Sequence, residues 1–260
     1  MATAVKKKAA KKKKPAAPAS AIYLYGISQP ARRAVELRAE AVDGMAAIEP
    51  LRLEGVSCWI SRVDRGEYAE HLAENMENLE WLATIGVRHQ RAVADLASKV
   101  EILPARFGTV FLSEESLLAH VKSEKKTIQS AFKKIAGADE WGVKVFRVAQ
   151  AQKPAMADAV SGTDYLKRKA KTAIPRTKED DPTLLDLVRA LAKLSVDVAP
   201  GGKASSGQPN LVWHGSFLVR RSAHKKFAEA LRKFTAKFSE SYRVECSGPW
   251  PPYSFVRQHG

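Results

Sequence analysis

The residues best equipped for catalysis are His214 and Ser216, a base and a hydroxyl two positions apart in Leu211 to Arg221 (LVWHGSFLVRR). In an extended segment that spacing sets both side chains parallel on one face rather than converging on a reacting atom. No G-x-S-x-G turn lifts the serine and no third group is evident nearby, so a polar strand face accounts for the pair better than a nucleophile. Metal chemistry finds less. His71, His89, His120, His214, His224 and His259 are far apart, and none falls into H-E-x-x-H or into zinc spacing with a cysteine. The glycine-rich stretch Gly201 to Gly207 holds a Gly-Lys pair, but Ala204 stands where a P-loop needs a hydroxyl for magnesium, and the stretch reads as a linker. No catalytic residue, metal site or cofactor is expected.

Binding chemistry has more candidates. Arg106 in Ala105 to Thr109 (ARFGT) and the pair Arg220 and Arg221 carry guanidinium forks suited to a phosphate or carboxylate, with internal ion pairing as the plainer alternative. Gly248 to Tyr253 (GPWPPY) must be extended and stiff, because proline fixes φ and removes a donor. Trp250 and Tyr253 then either pack this segment onto its domain or meet a partner, and Trp213 joins them as a candidate contact. Cys58 and Cys246, in strand-like apolar contexts, are expected to be buried thiols in a reduced compartment.

The elements that would position these residues follow from pattern. Residues 1 to 20 are Lys, Ala, Pro and a few small residues, expected to be a mobile basic arm; it supplies seven of the fifteen net positive charges. No run of apolar residues is long enough to cross a membrane and no signal-peptide core follows the basic start. Ala21 to Ile27 reads as a central strand with two apolar faces, Ala31 to Val42 as a helix, and Ile48 to Val63 as a hairpin or bulged strand about Gly55. Leu72, Met76, Leu79 and Leu82 form a helical stripe, followed by a second helical stretch near His89 to Ala97. Val100 to Phe111 predicts two short strand pieces around a bend at Pro104 and Gly108. Ser113 caps a helix that carries Leu117, Val121, Ile128, Phe132 and Ile135 to Gly137.

In the second half, Glu140 to Val148 predicts a strand, Tyr165 to Lys171 a helical stretch, and Asp181 with Pro182 the start of a further helix. Leu211 to Arg221 is a strand, Ser222 caps a helix bearing Phe227, Leu231, Phe234 and Phe238, and Tyr242 to Cys246 closes the order as a strand. The expectation is an α+β protein of two packed, ferredoxin-like domains, residues 21–138 and 139–260, each a small mixed or antiparallel sheet with helices.

Taken together, Tyr23 to Ile27 (YLYGI), Leu103 to Thr109 (LPARFGT), Glu140 to Phe146 (EWGVKVF), Ser161 to Leu166 (SGTDYL) and Gly248 to Val256 (GPWPPYSFV) resemble the gas vesicle protein GvpL/GvpF family, over about residues 21 to 257. The resemblance implies two α+β domains without catalytic residues or cofactor. It further implies an accessory role within the prokaryotic cytoplasm, in assembly of the gas vesicle or as a minor structural part of it. The implied partners are the small hydrophobic shell protein and other vesicle proteins. The competing reading is a nucleic-acid or polyanion binder working through the basic arm and the lysines of the last helix, for which no docking motif or base-stacking platform is evident.

Overall fold

In the computed structural model, residues 19–148, 181–201 and 208–256 are described. The basic arm up to residue 18, the Tyr165 to Lys171 stretch and most of the Gly201 to Pro209 loop lie outside them.

β1 (Ser20–Ser28) is buried at every position from Ala21 onward. It earns this as the middle strand of an antiparallel sheet in the order β2-β3-β1-β4. β2 (Glu49–Leu53) and β3 (Val56–Asp64) form a hairpin whose turn residues Glu54 and Gly55 both have positive φ, 48° and 83°. That conformation matches a tight turn to the twist of the strands. Pro50 is tolerated because β2 is an edge. On the other side β1 pairs with β4 (Ile102–Pro104) and β5 (Val110–Phe111), the two short pieces around a bend that the proline and glycine predict.

Three expected elements of this half take a different form. Ala31 to Val42 contains no helix. The Arg38 and Ala39 N–H groups donate to Asp95 (2.6 and 3.1 Å) and Val42 N–H to the Tyr25 hydroxyl (2.9 Å), so tertiary partners take the place of helical bonds. Val35, Leu37 and Ala39, spaced by two, pack inward from this irregular crossover. The Leu72 to Leu82 stripe is also broken. α1 (Leu72–Glu77) stops at Asn78, whose side chain accepts from Glu80 and Trp81 N–H and caps α2 (Leu79–Ala97). Leu79 is 80% exposed, and the buried face of α2 is instead Ile85, His89, Ala92, Val93 and Leu96. Finally, the helix beginning at Ser113 is two helices, α3 (Glu114–Ser123) and α4 (Lys125–Ile135). Ser123 Oγ donates to the His120 carbonyl beside the break, a local bond that competes with the helical ladder. The cap at Ser113 and the buried residues Leu117, Val121, Ile128, Phe132 and Ile135 are as expected.

The second sheet follows the same plan. β6 (Ala138–Arg147) pairs with β8 (Leu211–Arg220) and β9 (Tyr242–Trp250), and β7 (Asp197–Pro200), a strand the sequence pattern misses, pairs with β8. The order β7-β8-β6-β9, all antiparallel, with α5 (Pro182–Lys193) and α6 (His224–Phe238) on one face, is the split βαβ arrangement. Asp181 caps α5 by accepting from Thr183 N–H. Ser222 does not cap α6: a 3₁₀ turn, Arg221–Ala223, intervenes and no side chain caps the helix. Cys58 is fully buried in β3, but Cys246 is exposed, because β9 is an edge and only its early residues Tyr242 and Val244 pack against the helices.

Each sheet has helices on its outer side, and one core lies between them. Ile22, Leu24, Ile27, Cys58 and Ile60 of the first sheet meet α3 and α4 there, together with Ala138 and Leu218 of the second sheet and Phe255 and Val256 from the end of the chain. The first sheet is thus covered on both faces, which is why β1 lacks the polar alternation of a solvent-facing strand.

Candidate functional site

β9 is an edge strand nine residues long, paired with β6 alone among the described residues. Its first half carries Arg243 and Glu245, charges that blunt an edge against indiscriminate pairing. Its last residues run beside Glu140. Gly248 has φ +133°, and a Cβ there would lie 2.8 Å from the Glu140 carbonyl, so only glycine lets the strand pass so close. Trp250 ends the strand 48% exposed, a large apolar surface with a polar tip. It borders a cleft of about 520 Å³ between the two halves, whose walls include Pro249, Pro251, Ser98, Asp139 and Arg221.

Beyond Trp250 the chain turns inward. Pro251 and Pro252 are buried and lead into a 3₁₀ turn, Tyr253–Phe255. Tyr253 is directed into the first half, its hydroxyl 3.5 Å from His89 Nε2. His89 Nδ1 bonds the Tyr23 hydroxyl at 2.9 Å, which also accepts from Gly108 N–H at 3.0 Å. Burial holds the His89 pKa down at about 4, against a backbone hydrogen bond to Ala105 that favours its charged form. Burial also pushes the Tyr25 phenol up to about 12 and that of Tyr23 further still. A neutral imidazole among neutral phenols is a structural network at neutral pH, well removed from the poise of a general base. Ser254, in the same turn, donates from N–H and Oγ to the buried carboxylate of Glu140 at 2.8 and 2.6 Å. Helical periodicity marks His89 as buried only once the register of α2 is known, and nothing local in sequence marks Glu140 or Ser254.

The remaining candidates separate. Ser216 Oγ lies 3.2 Å from Ser254 Oγ, while the His214 ring sits against Gly201, where a Cβ would come within 1.7 Å of Nδ1. Arg221 grips Asp139 through Nε and Nη2 at 3.2–3.3 Å, and the carboxylate raises its pKa; His224 Nε2 lies 3.4 Å from the same Asp139. Arg220 donates to the Ala136 carbonyl at 3.1 Å. Trp213 lies along β8 over Gly215 and against Phe217, ring centroids 5.6 Å apart, partly buried under the helices. Arg106 is exposed at the bend between β4 and β5. The structure therefore brings Trp250 and Arg221 to one cleft, sends Tyr253 inward, and leaves Trp213 and Arg106 elsewhere.

Among the described residues there is no group of three or more His, Cys, Asp or Glu side chains placed to hold a metal ion, and no helix is long and apolar enough to cross a membrane.

Comparison with known proteins bears on the same span. The family described as "Gas vesicle synthesis protein GvpL/GvpF" matches residues 21–257. Gas vesicle protein L of Streptomyces sp. (strain CB03234) is 28% identical over 253 residues, covering 90% of this chain and 92% of its own. Gas vesicle protein F of Haloferax mediterranei is 21% identical over 238 residues, with 92% and 94% covered. The crystal structure of the gas vesicle protein GvpF from Anabaena sp. PCC7120 superposes with a TM-score of 0.69 at 19% identity, covering 93% of this chain and 98% of that one; at that identity the likeness speaks for the fold. With the blocks from YLYGI to GPWPPYSFV falling inside the matched span, the chain belongs to the gas vesicle GvpL/GvpF family, whose members are gas vesicle structural and accessory proteins rather than enzymes.

Proposed function

We propose that the protein is an accessory factor that binds the small hydrophobic shell protein, and other vesicle proteins, during assembly of the gas vesicle in the prokaryotic cytoplasm. The supporting observation is the edge of β9, which has no second partner strand among the described residues, leading to the exposed Trp250 beside the inter-half cleft. An unpaired edge offers backbone groups to a partner strand, and an exposed tryptophan at its end supplies an apolar anchor. With residues 21–138 and 139–260 taken as two units, the docking surface belongs to the second, and the first buttresses it through the shared core.

The test is co-purification of tagged full-length chain with co-expressed shell protein. Trp250→Ala, a truncation at an exposed position, is expected to leave the fold intact and reduce capture at least tenfold. Capture equal to that of the unaltered chain would remove Trp250 from the interface. Normal, buoyant vesicles in a host lacking the gene would end the accessory reading altogether. Binding that falls steeply with salt and disappears on removal of residues 1 to 18 would favour the polyanion reading.

A further inference from the structure

The direction of each backbone group along β9 follows from its pairing with β6. Val148 N–H donates to the Ser241 carbonyl at 2.9 Å, and the ladder continues with Phe146 opposite Arg243, Val145 opposite Val244 and Lys144 opposite Glu245. Facing pairs in an antiparallel ladder alternate between hydrogen-bonded and non-bonded. Arg243 and Glu245 therefore direct their N–H and C=O groups at β6, while Tyr242, Val244 and Cys246 direct theirs away from it, where no further strand pairs among the described residues. Arg147 N–H, which donates to the Asn210 carbonyl at 2.8 Å on the β8 side, fits the same alternation.

The side chains divide in the same way. Tyr242 and Val244 pack with the helices, and Cys246 follows them by alternation yet is exposed. Arg243 and Glu245 lie on the opposite face, ion-paired with each other, their side chains 62% and 46% exposed.

An edge that carries a cation and an anion two residues apart is complementary to itself. When two copies pair antiparallel, a two-fold axis through Val244 sets each Arg243 opposite the Glu245 of the other copy. An axis through Arg243 or Glu245 would oppose like charges, and one through Tyr242 or Cys246 would set the charges against Ser239 and Ser241 or against Ser247 and Pro249. With Val244 at the axis, the outward groups of Tyr242, Val244 and Cys246 bond those of Cys246, Val244 and Tyr242. The charges fall at the non-bonded positions, where facing Cα atoms are closest, about 4.5 Å, and opposite charges stabilise most directly. The exposed Cys246 gains a tyrosine as cover.

We propose that the Tyr242 to Cys246 edge is a docking surface for a second copy of this chain, joining two four-stranded sheets by antiparallel β9 to β9 pairing about Val244. The paired span stops short of Trp250, so self-association and capture of the shell protein through Trp250 can fail separately.

The test is sedimentation velocity of the full-length chain over a wide range of concentrations, with alkylation of Cys246 by iodoacetamide as a second readout, Cys58 being buried. A monomer–dimer equilibrium is expected, with Cys246 reacting more slowly as the dimer fills. Arg243→Glu and Glu245→Arg, both at exposed positions, each create two like-charge facings and should weaken the dimer about tenfold. The double variant, Arg243→Glu with Glu245→Arg, restores reciprocal pairs and should recover the affinity of the unaltered chain to within about threefold. If a single variant loses its thermal transition, the double variant alone carries the comparison. A chain that stays monomeric, single reversals without effect, a double variant that fails to dimerise, or a dimer in which Cys246 reacts as fast as in the monomer would each overturn the proposal.

Discussion

His89 is neutral because charging it inside a cluster of phenols costs more than its backbone hydrogen bond to Ala105 returns. Its pKa of about 4 in the folded chain lies below the 6.5 of an unfolded one, so between these values the unfolded chain binds the extra proton. The stability that follows is fully present above pH 6.5 and declines as pH falls towards 4, by roughly 3 kcal/mol in all. His89→Gln, which retains an acceptor for the Tyr23 hydroxyl, is expected to remove that slope. Denaturant midpoints of both proteins across the range check this, and parallel profiles would assign the slope to other groups. Asp95 and Asp181, whose pKa values are lowered against their burial by hydrogen bonds and nearby cations, lose their contributions at lower pH. The difference between the two proteins isolates the imidazole from them. The sequence identifies His89 as a lone histidine unsuited to metal binding, but its phenol partners come from residues 66 and 164 positions away, and no local pattern reports those.

Among the elements, the strands and helices that follow local chemistry are legible in the sequence: the β2–β3 turn at Gly55, the caps at Ser113 and Asp181, and the broken fourth strand around Pro104 and Gly108. The misreadings share a cause, which is competition between a local pattern and a partner distant in sequence. The Ala31 to Val42 segment has a helix-like composition, yet its backbone bonds to Asp95 and Tyr25. The Leu72 to Leu82 stripe obeys helical spacing, but Asn78 interrupts it and rotates the following helix onto a different face. That cap is testable. Asn78→Ala removes the acceptor for two N–H groups, at 3.0 and 3.2 Å, and is expected to cost about 1 kcal/mol in a urea titration. No measurable loss would mean that packing of Ile85, Val93 and Leu96 alone fixes where α2 begins.

For the whole molecule, the end of the chain decides how the halves are joined. Tyr253 reaches the His89 network of the first half, Ser254 binds Glu140 in the second, and Phe255 and Val256 complete the core between them. Phe255→Ala is expected to cost about 3–5 kcal/mol, the range for emptying a buried phenylalanine site, and to lower one cooperative calorimetric transition. A change under about 1 kcal/mol would show that the last turn merely covers a core that is complete without it. The sequence by itself determined the α+β class, the central position of β1 and, through five short blocks, the family. It did so because hydrophobic period, turn chemistry and motif order are properties of neighbouring residues. Only the tertiary structure decided that both sheets share one strand order, that a short β7 completes the second, that Cys246 and Trp250 lie on a strand with one partner among the described residues, and that Arg221 is occupied by Asp139 while Arg106 is exposed at a bend. Those outcomes depend on contacts between residues far apart in the chain, and such contacts leave no periodic trace in the segments that make them.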